Sequence, residues 1–292
     1  MMLPTTLVIG RDHPDYPIRI SAMERPPAAL YLKGQLPTGR PVAIVGSRGA
    51  CDEALRFTHQ LAFDLAKLGV SVWSGGARGV DAAAHRGALD AGGKSVVVMG
   101  TGFDHIYPAD HEEMFIRLLE QGGAWVSMFR DDQSGTKWSF LLRNELLAAL
   151  VDAVILVQAP VRSGARSTMS AARRMGRRLW VVPAAPWDIA GAGCAQELRA
   201  GAEVLPALAV LAKELGLHVP RGFGVRRSMA LPQDLDPQER AVALAVRRGC
   251  RHSDDICAET GLSAHTVAAA LLTLTLRHVL VQGSDGRVLA IT

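Results

Sequence analysis

The sequence predicts an α/β protein with a doubly wound, mostly parallel sheet, followed by a small separate C-terminal domain. Three observations lead to this prediction. Short apolar, β-branched runs alternate with helical segments between residues 42 and 215. Several of these runs end in a turn rich in Gly, Ser and Arg. After residue 215 the pattern changes to three short helical segments and a hairpin signal.

The rest of the chain is organised around the stretch VSVWSGGARGVDAAAH, residues 70–85. Val70–Trp73 predicts a buried parallel strand, Ser74-Gly75-Gly76 ends it, and the Ala-rich segment Val80–Ala91 predicts a helix. A strand, a glycine turn and a helix in this order direct backbone N–H groups and a helix dipole at an anion. Arg78 adds a forked cation that suits phosphate. Taken alone, this stretch is explained equally well by a tight turn whose glycines serve packing.

The same construction occurs at other places in the chain. Val42–Val45 predicts a strand that ends at Gly46-Ser47-Arg48, and Val151–Val157 predicts one that leads to the turn Ser163–Thr168. Lys94–Met99 predicts a further strand, which ends at Gly100-Thr101-Gly102. The remaining predicted elements are strands at Ala124–Met128 and Leu179–Val182, and helices at residues 54–68, Glu112–Glu120, Phe140–Ala149 and in the segment that ends at Met175. This alternation predicts a Rossmann-like sheet.

The carboxyl ends of parallel strands lie at one edge of a sheet, so these turns are expected to meet in one crevice. We expect Arg48, Arg78 and Arg143 to converge there with Arg162 and Arg166. Each arginine taken alone is explained by an ordinary solvated surface position. Together, backbone amides and arginines in this arrangement predict a site for the phosphates of a nucleic acid strand or of one nucleotide.

The domain organisation follows from shifts in composition along the chain. Residues 1–41 are rich in proline and predict an extended lead-in that clasps the main domain. Residues 42–215 form the Rossmann-like domain, and residues 216–234 form a basic linker rich in Pro and Gly. Residues 235–292 predict a winged helix: Pro237 opens one helix, Ser253 and Ser263 are possible caps of the next two, and Ser284-Asp285-Gly286 signals a hairpin.

Composition places limits on the function. The chain has 32 Lys and Arg against 28 Asp and Glu, a net charge of +4, which permits an anionic partner without requiring one. The four cysteines show neither zinc spacing nor a disulfide pattern, so we expect reduced thiols, no metal and no cofactor. No signal-peptide pattern and no apolar run of transmembrane length are found, and a cytoplasmic protein without membrane attachment is expected.

The set of motifs resembles the DNA-processing protein A (DprA/Smf) family over roughly residues 12–210. The similarity rests on motifs in the family's order and spacing: GSR at Gly46–Arg48, SGGARGVDAAAH at Ser74–His85, GTGFDHIYP at Gly100–Pro108, Phe140 with Arg143-Asn144, and SGARST at Ser163–Thr168. The C-terminal segment is also similar to the winged-helix module that many members carry.

This resemblance implies a homodimer that binds single-stranded DNA without sequence preference, acts in recombination and natural transformation, and loads the RecA recombinase onto DNA. No catalytic residue is implied. The implied DNA contacts are Gly46, Ser47, Arg48, Ser74, Gly75, Arg78, Gly100, Gly102, Arg143 and Asn144, with Ser163, Gly164 and Thr168 as further candidates, and we add Arg166 from the chemistry of its turn.

The chain departs from the family pattern at several positions. Gln158 and Met128 stand where members usually carry Glu, and Glu145 stands where they usually carry Arg. Arg166 occupies a position that is normally apolar. The chain is therefore expected to be a divergent member of the family.

Two other functions are compatible with parts of the sequence. A nucleotide hydrolase of the phosphoribohydrolase (lysine-decarboxylase-like) type shares the fold, and Asp81 and His85, four residues apart on a helix, are spaced as an acid–base dyad. We favour the alternative that Asp81 is a favourable charge in a first helical turn and His85 a packing residue. The Ser163–Thr168 turn also lacks the glutamate of the PGGxGTxxE loop of those hydrolases. A scaffold whose winged helix docks a protein partner is the other possibility, because His265 and Thr266 open a helix without a basic cluster.

Overall fold

A computed structural model of the chain describes residues 3–219, 231–232, 234–277, 279–283 and 287–290, with residues 289 and 290 as backbone only. The chain divides into two compact units, Met1–Phe223 and Gly224–Thr292. Most of the predicted linker 216–234 and the predicted hairpin turn Ser284-Asp285-Gly286 lie outside the described residues.

The first unit is built on a nine-stranded sheet. Its strands are β1 (Leu7–Gly10), β2 (Ala29–Gly34), β3 (Pro41–Val45), β4 (Ser71–Ser74), β5 (Ser95–Met99), β6 (Ala124–Ser127), β7 (Ala153–Leu156), β8 (Arg178–Val181) and β9 (Glu203–Val204). They lie in the order β1-β2-β6-β5-β4-β3-β7-β8-β9. Strands β3 to β9 are parallel, whereas β1 and β2 are antiparallel at one edge. This is the predicted α/β, doubly wound, mostly parallel sheet, and the fold-class prediction is confirmed.

The strand order places a topological switch point at β3. The chain proceeds from β3 through β4 and β5 to β6 in one direction, and then returns to add β7 on the other side of β3. Crossover connections that leave β3 and its neighbour β7 run to opposite faces of the sheet, so a crevice opens beyond their carboxyl ends. The fold therefore provides a binding position before any side chain is considered.

Helices cover both faces of the sheet. They are α1 (Asp52–Lys67), α2 (Val80–Asp90), α3 (Glu112–Glu120), α4 (Lys137–Leu150), α5 (Ala165–Arg174), α6 (Ala192–Arg199) and α7 (Leu208–Glu214). Along β7, Ile155 belongs to the core under α1, α2 and α7, whereas its neighbour Val154 belongs to the core under α4 and α5. The period of two along each strand thus fills two apolar layers, as a fully covered parallel sheet requires.

Part of the predicted lead-in contributes to the sheet itself. Strands β1 and β2 pair with each other, and β2 pairs with β6. Ile20, in a 3₁₀ turn between β1 and β2, is fully buried in the core under α4. The prolines between these strands confine the ordered segments to short pieces, because proline ends helices and cannot donate within a ladder.

The second unit has the elements of a winged helix: α8 (Pro237–Arg248), α9 (Ser253–Thr260), α10 (Ala264–Leu276) and the antiparallel strands β10 (Leu280–Gln282) and β11 (Val288–Ala290). Asp236 caps α8 in a reciprocal capping box with Glu239, and Ser263 accepts a hydrogen bond from the Thr266 N–H at the start of α10. Ser253 is the first residue of α9 and not its cap, which is His252.

Within the described ranges, no single helix is long and apolar enough to cross a membrane. Only α9 and α10 taken together reach the necessary length and hydropathy, and they meet at an angle of 112°.

The two buried apolar layers predict which substitutions destabilise the first unit. Ile155→Ala removes a fully buried side chain and should lower the free energy of unfolding by about 2–5 kcal/mol, because it leaves a cavity between α1, α2 and β7. Urea titration followed by tryptophan fluorescence measures this, since all five tryptophans lie in the first unit.

The matched control is Ile18→Ala, because Ile18 is 84% exposed and its truncation should change stability by less than about 0.5 kcal/mol. Equal destabilisation by the two substitutions would contradict the described core.

Candidate functional site

A cleft of about 920 Å³ lies where the sheet order predicts a crevice. Four loops form it: the turns after β3 and β4, the loop after β5, and the turn between β7 and α5. The first residues of α4 complete its wall. The candidate site is thus assembled from segments that are far apart in sequence.

The turn after β3 is held against β7. The backbone N–H of Ser47 donates to the carbonyl of Gln158 (2.7 Å), and the Gln158 side chain accepts from the backbone N–H of Cys51 (3.0 Å). A Cβ at Gly46 would lie 2.6 Å from Val80, so the close approach of this turn to α2 requires glycine. Arg48, at the tip, is exposed and makes no ion pair within the described part of the chain.

Arg143 is a buried cation under the turn after β4. Its guanidinium donates to the carbonyls of Gly75 and of Val98 (2.9 Å for the latter), which follow β4 and lie in β5. A Cβ at Gly75 would lie only 2.5 Å from the guanidinium, so the glycine makes room for this contact. The residue as a whole is 5% exposed. Arg143 therefore binds the protein's own backbone from within the wall of the cleft.

Asn144 extends this connection to a third loop. Its Oδ1 accepts from Nε of Arg143 (2.9 Å), and its Nδ2 donates to the Gly164 carbonyl (3.2 Å) and to Oγ of Ser167 (2.8 Å). The Arg143-Asn144 pair thus joins the ends of β4 and β5 to the beginning of α5. We call this set of contacts the Arg143 clamp.

Burial perturbs the two charges at the floor of the cleft. Burial lowers the pKa of Arg143, the carboxylate of Asp81 opposes that change, and the charge of Arg48 adds to it. Burial raises the pKa of Asp81, and Arg143 opposes that rise. Each residue therefore opposes the effect that burial has on the pKa of the other.

The rim of the cleft is positively charged. Arg48, Lys137 and Arg162 are exposed, line the cleft and form no salt bridge that the described residues show. The N-terminal turns of α4 and α5 also face the cleft, and their dipoles favour negative charge. Asp81, the acidic residue among the described lining residues, is buried beside Arg143. The cleft therefore suits an anion.

Two aromatic rings lie in the same cleft. The rings of Tyr107 and Phe140 are 5.3 Å apart, and the Phe140 ring also lies 5.6 Å from the Arg143 guanidinium. Tyr107 is half exposed. An accessible ring beside cations offers a stacking surface for an unpaired base.

The structure separates the sequence-predicted residues into two groups. Most line the cleft: Gly46, Ser47, Arg48, Gly75, Arg143, Asn144, Ser163, Gly164 and Thr168. Ser74, Gly100, Gly102, Arg78 and Arg166 do not line it. Arg48, Arg143 and the sequence-predicted Arg162 therefore come together, whereas Arg78 and Arg166 lie elsewhere.

Each residue of the second group has a contact that explains its position. Ser74 Oγ is buried and donates to the carbonyl of Ile44, while Gly100 gives space to the Phe140 ring and Gly102 to the backbone at Arg130 and Asp131. Arg78 forms a two-point contact with Asp110 (3.0 and 3.2 Å) on the surface, and Arg166 bonds to the buried Glu197 (2.7 Å).

Lys137 is a cation of the cleft lining that the sequence reasoning missed, because residues 131–137 are polar and predict a loop. The available signal was the helix cap. Thr136 accepts from the Ser139 N–H and Ser139 Oγ accepts from the Thr136 N–H, so α4 begins at Lys137 and presents it to the cleft.

Asp81 and His85 do not form an acid–base dyad. Nδ1 of His85 lies 2.8 Å from Oγ of Ser95, which donates to the Val72 carbonyl, so the proton of the neutral ring is on Nδ1. Oδ2 of Asp81 accepts instead from the Ala77 N–H (3.3 Å). His85 is fully buried, and burial, together with His111 and Arg143, lowers its pKa to about 3. The ring is a neutral packing residue beneath the turn after β4.

The fold and the cleft define a doubly wound α/β protein with a cationic cleft at its topological switch point. The family model of DNA recombination-mediator protein A matches residues 7–216, and the DprA winged helix domain matches residues 226–286. The chain belongs to the DNA recombination-mediator protein A (DprA/Smf) family, which confirms the resemblance found in the sequence.

Curated relatives agree with this assignment. Protein Smf of Synechocystis sp. is 30% identical over 298 aligned residues, which cover 90% of this chain and 75% of that protein. A putative DNA processing protein DprA of Mycobacterium tuberculosis is 36% identical over 250 residues, which cover 85% of this chain and 64% of that protein. The chain thus spans between about two thirds and three quarters of the length of these relatives.

Solved structures agree as well. DNA processing protein A from Streptococcus pneumoniae has a TM-score of 0.66 and 28% identity, with 74% of this chain and 76% of that one covered. DNA processing protein A from Helicobacter pylori, solved for its single-stranded DNA binding mode, has a TM-score of 0.64 and 29% identity, with 74% of this chain and 100% of that one covered.

The Arg143 clamp predicts a large loss of stability when the guanidinium is removed. Arg143→Met leaves the buried carbonyls of Gly75 and Val98 without their donor and should lower the free energy of unfolding by about 3 kcal/mol. Urea titration followed by tryptophan fluorescence measures the change.

The matched substitution is Arg78→Met, which removes an exposed pair with Asp110 and should leave stability nearly unchanged. A stable Arg143→Met protein would show that the clamp does not hold these loops.

Burial of His85 predicts a pH dependence of stability. The pKa of His85 is about 3 in the folded chain against about 6.5 when unfolded, so the unfolded state binds more protons between these values. Stability is fully present above about pH 6.5 and falls as the pH decreases. Between about pH 7.5 and about pH 5, protonation of His85 in the unfolded chain should lower the free energy of unfolding by about 2 kcal/mol.

His85→Asn keeps a polar group near Ser95 and removes the titration, so its unfolding free energy should fall less over this range than that of the parent. His105→Asn, at an exposed position, should retain the parental slope. Identical pH profiles for the parent and His85→Asn would refute the assignment.

Proposed function

We propose that the cleft at the ends of β3, β4, β5 and β7 binds the backbone of single-stranded DNA without sequence preference. The observation that carries the proposal is the set of exposed cations on its rim, Arg48, Lys137 and Arg162, none of which is neutralised by an acid within the described residues. Elsewhere on the same sheet edge, Arg78 and Arg166 are held by Asp110 and Glu197. Phosphates would complete the pairing that the rim cations lack.

The chemistry of the cleft favours an unpaired strand. Phosphate contacts attract any nucleic acid and carry no sequence information. Tyr107 and Phe140 add ring surfaces, and a ring can stack only with a base that is not already stacked within a duplex. Stacking is tolerant of base identity, so both kinds of contact agree with binding that is independent of sequence.

The wider role that we propose follows the family. We infer that the protein acts in DNA processing and recombination, including natural transformation, that it works as a homodimer, and that it loads RecA onto the bound strand. Support for these finer statements comes from family membership and from the relatives whose names describe DNA processing. Support for the ligand comes also from the H. pylori relative, which was solved for its single-stranded DNA binding mode.

Salt dependence tests the proposed ligand and the proposed contacts together. The double variant Arg48→Ala/Arg162→Ala should bind a thymidylate oligonucleotide more weakly, and the slope of log K against log salt concentration should decrease by about 1.4, because each lost phosphate contact on a single strand removes about 0.7. Fluorescence anisotropy over a series of salt concentrations measures this.

The control is Arg56→Ala/Arg86→Ala, which removes two exposed arginines from α1 and α2, outside the cleft lining, and should keep the parental slope. A parent protein that binds no oligonucleotide at low ionic strength would overturn the proposal. Release of free base from nucleoside monophosphates would instead favour the hydrolase.

A further inference from the structure

We propose that a second groove, between α4 and α5, binds a base and a phosphate of the same DNA strand where the strand leaves the cleft, with Trp138 as the stacking platform. This inference rests on the proposed function of the cleft. We call the new site the Trp138 groove; Trp138, Leu141, Ala171, Ser167, Ser170 and Arg174 line it, and it encloses about 290 Å³.

The exposure of Trp138 is the first observation. Trp138 is 65% exposed in the first turn of α4, whereas Trp73, Trp125 and Trp180 are buried in the core. Trp187 is exposed as well, but it lines neither the cleft nor the Trp138 groove. Tryptophan is normally a highly buried residue, and an exposed indole next to polar groups is typical of a binding surface. The neighbour of Trp138, Leu141, one turn further along α4, is half exposed. Together they form an apolar floor that the first unit leaves open to solvent.

Continuity with the cleft is the second observation. Leu141 lines both the cleft and the Trp138 groove, so the two depressions share a wall. Lys137, which precedes Trp138 in α4, belongs to the cationic rim of the cleft. A strand bound at this rim therefore has the Trp138 groove directly beside it, across Leu141.

The polar groups of the groove match a nucleotide. Ser170 places a hydroxyl group on the α5 side, and Arg174 lies in the last turn of α5. The Ser167 hydroxyl also lines the groove, but it already donates to the Gly164 carbonyl and accepts from Asn144. Glu145 also lines the groove and forms an ion pair with Arg174, with 3.9 Å between its Oε1 and Nη2 of Arg174. That distance is beyond hydrogen-bond range, so the guanidinium N–H groups can still donate to another acceptor. An apolar floor beside hydroxyls and a guanidinium suits a base with its attached phosphate.

Strand length provides the test. A thymidylate oligonucleotide of about twelve nucleotides is long enough to pass beyond the cleft. Trp138→Ala should weaken its binding about tenfold, which corresponds to about 1.4 kcal/mol. An oligonucleotide of about four nucleotides, which fills the cleft alone, should bind the variant as it binds the parent. Trp187→Ala is the matched control, because Trp187 is 83% exposed and lines neither the cleft nor the Trp138 groove.

Fluorescence gives an independent readout. The longer oligonucleotide should quench the emission of the parent and of Trp187→Phe, and this quenching should be lost in Trp138→Phe. Equal affinity of Trp138→Ala and parent for the longer oligonucleotide, or equal weakening for both lengths, overturns the Trp138 groove and leaves the proposed cleft intact. Failure of the parent to bind either length overturns the proposed function itself. If Trp138→Ala keeps the DNA affinity of the parent but has a lower molar mass than the parent in light scattering, Trp138 contacts a second copy of the chain. That result would also overturn the proposal.

Discussion

The candidate site depends on a single buried contact, the one between the Arg143 guanidinium and two backbone carbonyls. Gly75 follows β4 and Val98 lies in the neighbouring strand β5, and the pairing of β4 with β5 ends one residue before Val98, at Ser74 and Val97. A neutral donor would satisfy the two carbonyls less strongly than a charged one. Arg143 also opposes the rise that burial causes in the pKa of Asp81, and Asn144 connects α4 to the start of α5. These contacts join the turn after β4, the end of β5 and the start of α5, and so add to the hydrogen bonds that hold the turn after β3 against Gln158.

The arginines at this edge of the sheet fall into two groups: some form ion pairs with acidic residues of the protein, and others form none that the described structure shows. Arg166 and Arg173 both bond to Glu197, a buried carboxylate on α6, so these two arginines hold α5 against α6. This explains how the chain carries Arg166 where the family usually has an apolar residue: the guanidinium is neutralised inside the protein. Arg48 and Arg162, whose flanking residues look similar in sequence, have no such acid in the described structure. Neighbouring acids therefore decide which arginines remain available to a ligand.

Sequence reasoning reached the fold because its signals are local. The apolar runs that became β3 to β8 are short and continuous, and each run is within a residue or two of its strand. The contribution of β1 and β2 was not visible, because an antiparallel edge pair joins segments separated by proline-rich chain, and only long-range pairing with β6 defines it. The sequence also could not show which arginines are free to contact a ligand, because their acidic partners are distant in the chain. Asp110 lies 32 residues from Arg78, and Glu197 lies 31 residues from Arg166. No local pattern reports on partners at that distance. DNA contact by each predicted residue stays a prediction.

The motif Ser74-Gly75-Gly76 has a different physical meaning from the one that its sequence suggests. A glycine turn before a helix is typical of a phosphate loop. In this chain a side chain at Gly75 would collide with the Arg143 guanidinium, and Gly76, at φ +72°, would collide with Phe115 and Val97. His111 makes a further contact with the Gly76 carbonyl (2.9 Å). These glycines are therefore required by the packing beneath the turn, independently of any ligand above it. Substitutions in this motif would abolish binding by displacing the clamp, and their loss of function would not by itself identify a DNA contact. Residues on the open rim, such as Arg48 and Lys137, do not have this ambiguity, because their side chains support no internal contact that the described structure shows.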